Sequence, residues 1–65
     1  MTAQQQELFE RVQKLMVVVN DNGLSPDVRG AAYYRMMDLR AILEDQHRIY
    51  TTIERGRIEL ERELA

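Results

Sequence analysis

Between Asn20 and Asp27 the chain reads Asn-Asp-Asn-Gly-Leu-Ser-Pro-Asp, and this run constrains the fold more than any other feature. Gly23 suits the left-handed position that ends a helix, where a Cβ is penalised. Leu24 then falls where it can touch Val19, as in a Schellman ending. Ser25 suits an N-cap, Pro26 the first helical position, and Asp27 the positive end of the next helix. A stop followed so closely by a start predicts two antiparallel neighbouring helices.

The flanking segments carry helical periodicity. Upstream, Leu8, Val12, Leu15 and Val19 recur at steps of four and three, with Phe9 and Met16 widening the stripe. Thr2 and Gln5 have the spacing of a capping box. Glu7 with Arg11 and Glu10 with Lys14 are favourable pairs four apart. Helix 1 is expected over about 3–20 and the turn over 21–25. Downstream, Ala32, Met36, Leu39, Leu43, Gln46, Tyr50, Ile53, Arg57, Leu60 and Leu64 step by four and three, flanked by Ile42 and Ile49. That pattern predicts a second helix over about 26–64, with a possible kink near Gly56. Glu44 and Arg48 form a further pair four apart. The fold class expected is all-α: one domain over 1–65, an antiparallel helical hairpin with a longer second helix.

The unequal lengths point to self-association. Helix 1 would span roughly 27 Å and helix 2 roughly 57 Å. Beyond about Gln46 the first helix has ended, yet apolar positions continue. The 65 residues hold no cysteine and a single histidine, so disulfides and thiolate metal sites are excluded. A chain this short commonly needs a staple, and oligomerisation is the one remaining. A homodimer resembling a four-helix bundle or coiled coil is therefore expected, with Val17, Val18, Ile49, Tyr50, Ile53, Leu60 and Leu64 at its interface; the alternative is a monomer broken near Gly56 with a short third helix folding back.

Composition narrows function mainly by exclusion. With 45% hydrophobic residues the chain is too apolar for a disordered tail. A net charge of −2 is unlike that of a polyanion binder. Arg29, Arg35, Arg40 and Arg48 are nearly cancelled by Asp27, Asp38, Glu44 and Asp45, so nucleic-acid binding is the less favoured reading. Met1 to Gln6 carry neither a positive charge nor an apolar run, and no stretch is long enough to span a membrane. A soluble, cytoplasmic chain is expected.

No nucleophile has a base and an orienting group arranged beside it, so no catalytic residues and no cofactor are expected. Glu44 and His47 have the E-x-x-H spacing of di-iron bundles, but Glu44 points away from the apolar face, so no metal is expected either. The candidate partner-binding residues are Tyr33, Tyr34, Arg35, Met37 and Arg40. Tyr, Met and Arg are enriched at interfaces, and these lie off the main stripe. The function expected is a small dimeric adaptor, regulator or inhibitor of a larger protein. The alternatives are a structural coiled-coil assembly protein and a nucleic-acid-binding transcriptional regulator.

Overall fold

A computed structural model describes residues 1–54 and 57–62, with side chains through Thr51. Two helices form the expected antiparallel hairpin, α1 over Ala3–Val19 and the longer α2 over Pro26–His47. Two strands follow, β1 over Ile49–Glu54 and β2 over Arg57–Arg62, paired antiparallel from Ile49 opposite Arg62 to Glu54 opposite Arg57. Among the described residues, no helix is long and apolar enough to cross a membrane.

The helix starts follow their local chemistry. Thr2 and Gln5 form the capping box: Thr2 N donates to Gln5 Oε1 at 2.8 Å, and Gln5 N donates to Thr2 Oγ1 at 3.2 Å. Ser25 Oγ accepts from Val28 N, Pro26 opens α2, and Asp27 sits in its first turn.

The end of α1 differs from expectation. Gly23 does not take the left-handed conformation. Instead the Asp21 carboxylate accepts from Gly23 N at 2.9 Å, and the Asp21 carbonyl accepts from Leu24 N. Asp side chains make such turns readily, and this one replaces the Schellman ending. Arg29 reaches back from α2 and donates through Nε to the Val19 carbonyl at 2.9 Å. It thereby satisfies an orphan carbonyl with a cation at the negative helix end.

The larger correction concerns α2, which stops at His47 rather than near 64. Arg48 takes left-handed angles, φ 56 and ψ 34, and its N–H bonds to the Leu43 carbonyl. A non-glycine residue there costs about 1–2 kcal/mol. The strand that follows, Ile-Tyr-Thr-Thr-Ile, is rich in the β-branched and aromatic types that favour a pleated surface. The chain folds back on itself, and the long axis is 40 Å, shorter than the roughly 57 Å that the long helix would require. The premise of a long helical overhang beyond helix 1 therefore falls away.

The core joins three elements. Phe9, Val12 and Met16 from α1 pack with Met36, Leu39 and Leu43 from α2 and Ile49 from β1, with Leu8, Leu15 and Ile42 at the margin. The α2 stripe is the one expected. On α1 the centre shifts to Phe9–Val12–Met16, and β2 lies against this helix while β1 lies against α2.

Candidate functional site

Helical spacing aligns Gly30, Tyr33, Tyr34 and Met37 on one side of α2, since residues three, four and seven apart are neighbours on a helix surface. Tyr34 is 73% exposed, Tyr33 45% and Met37 39%. The tyrosine rings meet edge to face with centroids 5.8 Å apart. On α1, near the same end of the hairpin, Val17 is 67% exposed while Val18 is half-buried. A Cβ added at Gly30 would meet nothing within 4 Å, so the space beside it is open. The tip thus presents apolar side chains around a glycine that its own fold leaves uncrowded.

The other candidate residues divide. Arg35 is exposed and takes no ion pair among the described residues. Arg40 is occupied within the chain: Nε donates to Thr51 Oγ1 at 2.7 Å and Nη2 to the Thr51 carbonyl at 2.9 Å. Its Nη1 also lies 3.4 Å from Met37 Sδ, and Glu44 stands 3.7 Å away. Since Thr51 is itself buried, Arg40 ties β1 to α2 and is withdrawn from the docking face. Ile49, assigned to a dimer interface, is only 2% exposed and belongs to the chain's own core. Tyr50 is half-buried. Ile53 lies on β1 and Leu60 on β2, opposite Ile58 and Thr51 respectively. Leu64 and the kink at Gly56 lie outside the described residues.

His47 is held at the other end of the hairpin. Gln5 Nε2 lies 3.4 Å from His47 Nδ1. Gln5 spends its amide oxygen on Thr2, so its NH2 group faces the ring. His47 Nε2 is buried and has no hydrogen-bond partner among the described residues. Glu44 is paired with Arg40, and among the described residues no three His, Cys, Asp or Glu side chains cluster as metal ligands would.

A concavity lies between the helices. Arg11, Lys14, Leu15, Arg35 and Leu39 line a shallow, open cavity of about 270 Å³. Arg11 is paired with Glu7 at 2.7 Å as the spacing predicts, but both groups are mostly exposed, which limits such a pair to about 0.3–0.5 kcal/mol. The expected Glu10–Lys14 pair does not form: Glu10 accepts from Gln6 instead, and Lys14 takes no ion pair among the described residues. Sequence reasoning missed this groove because its residues sit at the edge of two stripes, and only the pairing of α1 with α2 brings them together.

No protein-family model, curated protein or solved structure matches the chain.

Proposed function

We propose that this chain is a non-catalytic protein-interaction module, a small adaptor, regulator or inhibitor that docks its hairpin tip on another protein, with a homodimer as its simplest form. The supporting observation is the exposure of Tyr33, Tyr34, Met37 and Val17, with Gly30 beside the α2 residues. Aromatic residues and Met leave water at interfaces more often than at random surface positions. A glycine in a helix interior costs about 1 kcal/mol relative to Ala, and the close approach of another backbone is a physical reason to carry it.

The alternatives are less well supported. The coiled-coil assembly reading rested on a long second helix, and α2 ends at His47. The nucleic-acid reading drew on arginines of which Arg29 and Arg40 are engaged within the chain.

The test pairs light scattering with capture of partner protein from cells that make the chain. Wild type is expected to exceed its 7.7 kDa monomer mass or to retain a specific protein. Tyr34→Ala with Met37→Ala is expected to abolish that behaviour while circular dichroism stays unchanged. A double variant that associates and captures as wild type does contradicts the assignment.

A further inference from the structure

We propose that the groove between α1 and α2, on the side away from the strands, docks an acidic amphipathic helix of a partner protein. The groove is a different surface from the tyrosine face. Arg35 and Arg40 are five residues apart, about 140° around the helix. Arg40 holds β1, whereas Arg35 lines the groove. The helical pair is thus covered by the strands on one flank and open on the other.

Charge identifies the occupant. A chain of net charge −2 places three of its nine basic residues around this one cavity; Arg11 is paired with Glu7, and none of the five lining residues is a carboxylate. Lys14 and Arg35 have no ion-pair partner among the described residues, so their charge remains available to an incoming group. Half-buried Leu15 supplies apolar surface between the cations, and core Leu39 forms the floor beneath it. Apolar surface bordered by cations complements an apolar stripe bordered by Asp or Glu, and antiparallel helices readily accept a third in their groove.

Other occupants fit less well. A symmetric second copy would set the unpaired Lys14 and Arg35 of one chain against those of the other, because a two-fold contact uses the same patch twice. Pockets for drug-sized ligands run from about 300 to 1,000 Å³ and enclose most of the ligand, whereas this one is smaller and open. A nucleic acid has no use for the leucines and would meet an acidic protein overall.

The test uses the full chain and two synthetic 18-residue helical peptides with the same leucine stripe, one flanked by glutamates and the other by lysines. Fluorescence anisotropy at low and high salt reads binding, with labelled duplex DNA as a third probe. The glutamate peptide is expected to bind at least tenfold more tightly than the lysine peptide, and more weakly at high salt. Lys14→Glu with Arg35→Glu is expected to reverse that preference. Both side chains are exposed and outside any ion pair among the described residues, and circular dichroism checks that the variant folds. Tyr34→Ala with Met37→Ala is expected to leave glutamate-peptide binding unchanged, which separates failure at the groove from failure at the tip. Equal binding of the two peptides, binding of neither, an unchanged preference after charge reversal, or tighter binding of DNA would each overturn the proposal.

Discussion

Gly30 lies inside α2, where a good helix former would serve the chain better by about 1 kcal/mol. No neighbour demands the glycine, since a Cβ would enter open space. Gly30→Ala is therefore expected to raise the urea midpoint by an amount equivalent to about 1 kcal/mol, and also to weaken association through the tip. A gain in stability with association unchanged would remove Gly30 from the interface. A loss of stability would mean that the helix there is not as described. Arg48 shows the opposite relation between residue and backbone. It is a non-glycine residue in a left-handed conformation, and this local cost marks where helix gives way to strand.

At the scale of elements, both helix starts and the core stripe of α2 were legible because capping and periodicity act within a few residues. The fate of residues 49–62 was not, and the reason lies in the spacing itself. Ile49 and Ile53 are four apart, a separation common to a helix period of 3.6 and a strand period of 2. Read by twos, the same stretch gives Ile49, Thr51 and Ile53, then Ile58 and Leu60, with two residues, Arg55 and Gly56, between the strands. Two-residue gaps containing Gly are a hairpin signal, and Gln46 and Arg57 interrupting the helical seam pointed the same way. The Asp21 turn was hidden because Gly23 offered an equally plausible local solution. The groove could not be read from either helix alone.

Arg40 links elements that local rules treat separately. Its guanidinium bonds both the side chain and the backbone of buried Thr51. Removing it strands a buried hydroxyl and a carbonyl, so Arg40→Ala is expected to cost about 1.5–3 kcal/mol. Amide exchange should rise most across Ile49–Glu54. Arg40→Lys should recover only part of this, because an ammonium cannot reproduce the fork. If exchange in β1 were unchanged in Arg40→Ala, the arginine would not be what fixes the strand to α2.

Across the whole molecule, the folded-back strands decide which surfaces are available. They cover one flank of the helix pair and bring Ile49 into the core, so the chain needs no second copy to bury that residue. What stays open is the tip and the cationic groove. Burying one large apolar side chain contributes about 1.5–3 kcal/mol, and association costs about 4–15 kcal/mol. A tip of four partly exposed side chains therefore gives a weak contact alone, and simultaneous engagement of the groove would strengthen it.

Central to the fold is that Ile49–Glu54 and Arg57–Arg62 form paired strands rather than continuing α2. The most direct measurement is a set of backbone nuclear Overhauser contacts on the full chain in solution. Cross-strand contacts between Tyr50 and Glu61 and between Thr52 and Glu59 are the result predicted. Unbroken helical contacts three residues apart from His47 through Arg62 would contradict the account and restore the long second helix.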